Sequence, residues 1–470
     1  MFIIYFNYKV LEDNRVKIII IGCSRVGETL AAQLGAEGND ITVVDLSSEK
    51  IDDITSKYDV LGIVGNGATH MTLLEAGIDS ADLLIAVTDS DELNLLCCMI
   101  AKKSSKCRVI ARVVSPEYST EADYLKNELG LEMIINPQFE AAKEISRVLS
   151  FPSAMKIETF AKGRVELLTF KMPENSKLIG MPLKDLATKL KSNILVCAVE
   201  RDDEAFIPNG NFVFEEKDVI TIIASPKNVY DFFKKINYSV NAVKDVLIAG
   251  GGKTSHYLCN VLEGSGISVK IIDKNFSACD ELSNVFGWAT IINADESDHD
   301  TLISEGLAQT DAFVALTKHD EENILLSLFA KGISKAKIIT KIERTEYDDI
   351  IKHLDLDTTI YSKGITVDMI VRYVRSMKNT FGSNIETMYN VIKGKVEASE
   401  FIVAEGSMIS DLPISELRFK KDVLVASILR GKKLMIPHGN DIIKPGDSVI
   451  IVSKNLALHD ISDVLDYKNI

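Results

Sequence analysis

No stretch of this chain approaches the ~20 consecutive apolar residues that a membrane-spanning helix needs, so the sequence holds no pore of its own. Any work at a membrane must go through a partner. A basic excess is missing too. Lys and Arg number 53 against 68 Asp and Glu, a formal net charge of −15. That balance argues against a nucleic-acid partner and against a lipid surface bound through cations, because both need a basic face. The seven cysteines, Cys23, Cys97, Cys98, Cys107, Cys197, Cys259 and Cys279, are odd in number and contain no Cys-x-x-Cys pair. Neither a disulfide frame nor a zinc knuckle is expected, and a reduced cytosol fits best. Cys97-Cys98 sits in an apolar helical stretch and reads as core. His70, His256, His299, His319, His353, His438 and His459 show no ligand spacing and read as solvated surface. Met1 to Tyr8 is apolar but lacks the basic flank and small-residue cleavage site of a signal peptide. Residues 1–15 take no assignment.

What is present is an ordinary globular composition, 46% hydrophobic and 26% charged over 470 residues, enough for two to four domains. One stretch organises it. Lys17 to Asp45 is written again, in a close variant, from Asp245 to Asp273. Lys17 to Ile21 is a β-branched run short enough for a buried parallel strand. The turn Gly22-Cys23-Ser24-Arg25-Val26-Gly27 follows, then a helix with Val26, Leu30, Ala31 and Leu34 on one face, then a strand ending in Asp45. This is a strand-turn-helix-strand unit whose glycine allows the sharp turn. The free N–H groups at the helix start can hold a pyrophosphate. A carboxylate at the second strand's tip accepts from ribose hydroxyls and repels a 2′-phosphate, so the implied ligand is NAD or an adenosine nucleotide rather than NADP. Both copies keep the aspartate 23 residues after the first glycine. Each departs once from Gly-x-Gly-x-x-Gly. Ser24 replaces the middle glycine, where an αL backbone would be uncomfortable, and Ser255 replaces the third, which is expected to loosen helix-to-strand packing.

The chain continues with strands expected at Val60 to Val64, Ala81 to Thr88 and Arg108 to Val113. Gly65-Asn66-Gly67-Ala68 forms a turn, Asp89-Ser90-Asp91-Glu92 caps a helix over Leu93 to Lys102, and a crossover helix Gln138 to Leu149 ends before Phe151-Pro152. Lys162 to Lys235 alternates strands with a small helix near Leu183 to Leu190, a compact α+β module. The whole plan then recurs at an offset near 228 residues. ADLLIAVTDSDELNLL from Ala81 is answered by TDAFVALTKHDEENILL from Thr310, SKLIGMPLKDL from Ser176 by SMISDLPISEL from Ser407, and IPNGN from Ile207 by IPHGN from Ile436.

A dinucleotide-type domain and a small α+β module with a Leu-Pro stretch and a Pro-x-Gly-Asn turn, both present twice, resemble the TrkA family. These are the peripheral subunits of Trk potassium uptake, built on tandem RCK (TrkA-N plus TrkA-C) repeats. The resemblance covers about Val16 to Leu465. It implies an α/β fold: two Rossmann-like doubly wound parallel-sheet domains, each followed by a small TrkA-C module. The divisions are 16–135, 136–160 (crossover helix and linker), 161–237, 243–362, 363–387 (crossover helix and linker) and 388–468. It further implies a cytoplasmic gating subunit, peripheral at the inner membrane face. Such a subunit binds NAD(H), with ATP or ADP as further ligands, and controls a membrane potassium channel subunit from a tetrameric ring of eight RCK domains. Carried over by position, the first site is Gly22, Cys23, Ser24, Arg25 and Val26 at the pyrophosphate and Asp45 at the ribose. Gly67, Ala68 and Thr88 lie beside adenine and ribose, and Arg112 points toward the phosphates. The second is Gly250, Gly251, Gly252, Lys253, Thr254, Asp273, Thr317 and Lys341, the last a point charge where the first copy has a planar guanidinium.

Other chemistry fits less well. Gly252-Lys253-Thr254 mimics the end of a P-loop, but Leu247 stands inside a strand where the leading glycine is needed. Asp91-Glu92 and Asp320-Glu321 are explained by helix capping rather than catalysis. Lys102-Lys103 and Lys420-Lys421 read as solvated faces. A dehydrogenase would need a substrate domain with an acid/base residue over the nicotinamide, and the small modules offer none. No catalytic residue and no metal site are expected. A regulator of a potassium efflux transporter remains the alternative within the same ligand class.

Overall fold

The structure is a computed structural model describing residues 15–150, 155–160, 164–173, 176–190, 192–236, 243–344, 347–351, 353–354, 356–379, 385–392, 394–431, 433–454, 458 and 460–466. The expected helix end at Phe151-Pro152, residues 1–14 and His459 lie outside them. The described residues fall into two units, those from 15 to 146 with those from 243 to 374, and those from 147 to 236 with those from 375 to 466.

The first unit holds both copies of the glycine-turn motif. Strands β1 (Lys17–Ile21), β2 (Asp40–Asp45), β3 (Leu61–Val64), β4 (Leu83–Ala86), β5 (Arg108–Arg112) and β6 (Met133–Ile135) form one parallel sheet in the order β3-β2-β1-β4-β5-β6. Ile18 to Ile21 and Leu83 to Ala86 are buried on both faces. That is why these strands read as continuous apolar runs and not as alternating ones. Chain order reverses between β1 and β4, the place at the carboxyl ends of the strands where sheets of this kind bind ligands, and a cavity lined by Cys23, Ser24, Arg25, Glu28, Lys50 and Asp53 adjoins the turn after β1. One face packs Ile19, Ile21, Val44, Leu84, Cys97 and Cys98 together, so the cysteine pair is core.

A second small fold follows in the chain: β7 (Lys156–Phe160), β8 (Val165–Lys171), β9 (Leu195–Arg201), β10 (Glu204–Phe206) and β11 (Val219–Ala224), ordered β10-β9-β11-β8-β7 and antiparallel throughout. β7, in the stretch read as linker, pairs with β8 along its whole length. Then β12 (Asp245–Ala249), β13 (Ser268–Asp273), β14 (Thr290–Asn293), β15 (Ala312–Ala315), β16 (Lys337–Ile342) and β17 (Thr358–Tyr361) repeat the first sheet strand for strand, as β14-β13-β12-β15-β16-β17. Strands β18 (Ile385–Ile392), β19 (Val396–Ile402), β20 (Val423–Arg430), β21 (Lys433–Met435) and β22 (Ser448–Lys454) repeat the small sheet.

The two small sheets share one core. Phe160, Leu167, Cys197 and Ile223 of one pack with Val396, Ala398, Ile450 and Val452 of the other. Each sheet also buries one ion pair at the same position. Arg201 Nε donates to Asp218 at 2.7 Å and Arg430 Nε to Asp447 at 2.9 Å. The modules differ in their helices. Among the described residues the first carries the α-helices Lys184–Leu190 and Pro226–Lys235, whereas the second has 3₁₀ turns at Ile414–Glu416 and Ile461–Val464, and Phe419 bridges to Leu465.

Candidate nucleotide clefts

Each crevice is built from the turn after the first strand. Gly22 has φ +103° and Gly250 φ +106°, in a region side chains rarely adopt. A Cβ on Gly22 would lie 3.0 Å from the Thr88 amide nitrogen, and one on Gly250 would lie 2.7 Å from the Leu316 carbonyl oxygen. These glycines are required by backbone shape and by contact with the neighbouring strand end. The helices Arg25–Ala36 and Lys253–Leu262 then open with their first-turn N–H groups at the crevice, where no intrahelical acceptor exists.

Two expectations about the fingerprint are corrected here. Ser24 has φ −78° and ψ 175°, ordinary extended backbone shared by Gly252 at −75° and −174°, so no αL strain arises at the middle position. A Cβ on Gly252 would meet nothing within 4 Å, so the space directly above the second turn is open. The third position also behaves differently from expectation. A Cβ on Gly27 would lie 1.9 Å from the Gly22 carbonyl oxygen, so glycine is indispensable there. Its counterpart Ser255 is fully buried and donates its hydroxyl to the Gly250 carbonyl at 2.5 Å. The serine ties the helix to the strand end instead of loosening it.

Asp45 and Asp273 stand at the tips of β2 and β13. Asp45 accepts from the Cys23 amide at 2.7 Å and the Ser47 amide at 2.9 Å. Asp273 accepts from the Gly251 amide at 2.5 Å and the Asn275 amide at 2.7 Å. Both aspartates remain partly exposed. Burial, then the Asp45 charge, pushes the Cys23 thiol up to about 11, so it is no nucleophile. Arg25 and Lys253 open the helices at the surface, while Val26 and Thr254 are buried beneath them.

Thr88 and Thr317 follow β4 and β15, but the Thr88 hydroxyl is turned inward, donating to Asn94 Oδ1 at 2.7 Å. Gly67 packs against β1, where a Cβ would lie 2.4 Å from Ile21 Cγ2, and Ala68 follows in a turn accepted by Asn66. The second copy places Glu296 at the position of Gly67, with Ala249 opposite where the first copy has Ile21. Glu296 is buried and accepts from the Lys274 amide at 2.9 Å. Arg112 Nη1 donates to the Thr88 carbonyl at 2.9 Å and lies 3.6 Å from Asp89. Burial holds the Lys341 ammonium below the usual lysine range, against the pull of Glu343 at 4.0 Å. Burial alone would raise Glu343, but the Lys363 hydrogen bond and the Lys341 charge outweigh it and leave the carboxyl below its ordinary value.

Sequence reasoning missed the groups that hold these crevices in shape. Asn94, fully buried, accepts from the Thr88 amide at 2.8 Å and donates to the Arg112 carbonyl at 2.9 Å. Asn323 does the same to Thr317 at 2.8 Å and Lys341 at 3.0 Å. Asp91 accepts from the Val114 and Ser115 amides and Asp320 from those of Glu343 and Arg344, so both carboxylates anchor a strand end in addition to starting a helix. Of the histidines, His256 is not a solvated one. It packs edge-on to Phe286 at 4.9 Å, and burial holds its pKa down. Tyr257, on the second helix, reaches across to the first domain. Its hydroxyl lies 2.8 Å from Ser119 Oγ and donates to the Val114 carbonyl at 3.2 Å.

No group of three or more metal-ligating side chains and no helix long and apolar enough to cross a membrane occurs among the described residues. Comparison with known proteins matches the TrkA-N domain model at residues 18–137 and 246–362 and the TrkA-C domain model at 167–237 and 398–466. The chain is 31% identical over 446 residues to the Trk system potassium uptake protein TrkA homolog 1 of Methanosarcina mazei, covering 93% of this chain and 97% of that protein. It is 29% identical over 442 residues to the Trk system potassium uptake protein TrkA of Halomonas elongata, covering 93% and 95%. A solved GsuK channel described as bound to NAD shares the fold with a TM-score of 0.63 at 15% identity, covering 94% of this chain and 77% of that one. Domain order, duplication and sequence agree: the chain belongs to the TrkA family, as two TrkA-N and two TrkA-C domains in alternation.

Proposed function

We propose that the chain is the nucleotide-sensing regulatory subunit of a potassium-uptake system. It binds NAD(H), and also ATP or ADP, in the crevices at Gly22 and Gly250, and controls a membrane-embedded channel subunit from the cytoplasmic side. The carrying observation is the repeated cradle: a positive-φ glycine and a partly exposed aspartate 23 residues on, both present twice, with a cavity beside Ser24 and Arg25 at one helix start and open space above Gly252 at the other. The names of the relatives support potassium uptake as the setting, and the NAD-bound GsuK channel supports NAD as the ligand class. In this reading Gly22, Cys23, Ser24, Arg25 and Val26 cradle the pyrophosphate and Asp45 grips the ribose. Gly67, Ala68 and Thr88 border the adenosine, and Arg112 supplies positive charge. Gly250 to Thr254, Asp273, Thr317 and Lys341 do the same in the second copy. Nucleotide shifts the gate by binding one arrangement of a homotetrameric ring of eight such domains more tightly than another. The chain acts as a sensor and turns no substrate over.

The test is calorimetric titration of the purified protein with NAD, NADH, ATP and ADP, together with an assay for their consumption. A Ser24→Glu, Gly252→Glu double variant puts a carboxylate into each cradle on backbone that accepts any residue. Binding without consumption, abolished in the double variant at unchanged melting temperature, is expected. Unaltered affinity in that variant overturns the assignment, and turnover overturns the sensor reading.

A further inference from the structure

The two crevices differ in charge at one equivalent position. Residues 88–90 and 317–319 form the β4 and β15 side of each crevice, directly against the glycine turn, since a Cβ on Gly22 would lie 3.0 Å from the Thr88 amide and one on Gly250 2.9 Å from that of Thr317. Any part of a ligand that extends past its pyrophosphate toward that side passes the residue after the threonine. In the first copy this is Asp89 and in the second Lys318.

The environments magnify the reversal. Asp89 projects almost fully into solvent, 94% exposed, yet sits 3.6 Å from Arg112, whose charge it offsets. Lys318 is exposed and its ammonium pairs with no carboxylate among the described residues. Behind it, Lys341 faces Glu343 at 4.0 Å and also feels the buried Asp320, while Glu343 is held more closely by Lys363 at 2.8 Å. Asp91 and Asp320 add one carboxylate to each copy alike, so the second crevice is the more positive of the two on this side.

We infer that Asp89 and Lys318 set which nucleotide each crevice takes: Lys318 fits the second to a nucleoside polyphosphate with a terminal phosphate, and Asp89 turns the first against one. The inference rests on the nucleotide-binding reading above. A terminal phosphate carries about two negative charges at neutral pH, which Lys318 attracts and Asp89 repels. A dinucleotide offers a sugar and an uncharged or cationic ring at the same place, which an aspartate accepts. Both side chains lie in solvent, so the discrimination is modest, about three- to tenfold, and salt screens it.

The experiment uses the full chain with one cradle silenced by Ser24→Glu or Gly252→Glu, and titrates ATP and AMP at low ionic strength and in about 1 M salt, where the screening length falls to about 3 Å. With the first cradle silenced, Lys318→Asp should weaken ATP about three- to tenfold or more while leaving AMP nearly unchanged, and the difference should vanish in high salt. Lys318→Gln should give part of the loss. With the second silenced, Asp89→Lys should strengthen ATP by a similar factor and leave AMP alone. If Lys318→Asp changes ATP and AMP alike, or changes neither at low salt, this inference falls while nucleotide binding stands. If the unaltered chain binds neither ATP nor NAD, it is the nucleotide reading itself that fails.

Discussion

The Asp45 carboxylate accepts the Cys23 amide at 2.7 Å, and so clamps the glycine turn to the tip of β2. Asp273 repeats the clamp on Gly251. A residue read from sequence as a ribose ligand thus also holds the shape of the phosphate cradle.

Removing either carboxylate should therefore act twice. Asp45→Ala leaves two backbone N–H groups without their acceptor. A hydrogen bond to a charged group contributes about 1.5–3 kcal/mol, so a fall in melting temperature of a few degrees should accompany a loss of NAD affinity of tenfold or more. Asp45→Asn keeps one acceptor oxygen and should recover most of the stability but less of the affinity. Thermal unfolding and calorimetry on the same samples separate the two effects.

The third fingerprint position should respond unequally in the two copies. Gly27→Ala drives a methyl group into the Gly22 carbonyl, 1.9 Å away, and should destabilise the first domain by about 2–4 kcal/mol or prevent its folding. Ser255→Gly only removes the bond to the Gly250 carbonyl and adds backbone freedom, at a cost of about 1–2 kcal/mol. Urea denaturation of each variant measures the difference.

Asn94→Ala and Asn323→Ala should each cost about 2–4 kcal/mol, because the amide of each is fully buried and its removal orphans groups on two strand ends. Replacement by leucine, which restores the volume but not the polar groups, should not rescue stability in denaturant unfolding.

All seven thiols are pushed above their ordinary value of about 9, Cys23 to about 11 and Cys97 and Cys259 to about 12, chiefly by burial. A group whose folded pKa is raised keeps its full contribution below the unfolded value and loses it as pH climbs toward the folded one. Lys337, lowered to about 8 by burial, and Lys341 work the other way, but they are two groups against seven. The denaturation midpoint should fall as pH rises from 9 toward 11, and the native chain should resist alkylation at pH 8.

Much of this was legible beforehand. The buried runs Ile18 to Ile21 and Leu83 to Ala86 could be read as parallel strands because both of their faces are covered, and Asp45 and Asp273 announced themselves by position. The supporting groups could not be read in that way. Asn94 and Asp91 lie in a helix start whose sequence suits a cap, and only the fold brings the Arg112 carbonyl and the Val114 amide to them. Asn94 did leave a trace, since an asparagine recurs as Asn323 at the same place in the second copy's helix. Ser24 and Ser255 were misjudged because the backbone angle at one, and the carbonyl facing the other, are properties of the assembled turn. The Gly67 and Glu296 exchange is likewise intelligible only beside Ile21 and Ala249.

Tyr257 joins the two parallel-sheet domains from one side only, for its counterpart on the first helix is Thr29. A pair of separate identical chains would have to carry that tyrosine on both partners or on neither. Duplication inside a single polypeptide removes the restriction, so each half can change its contacts without forcing the same change on its twin. The Tyr257→Phe change, silent in the first half, is the simplest place to look for that one-sided inheritance.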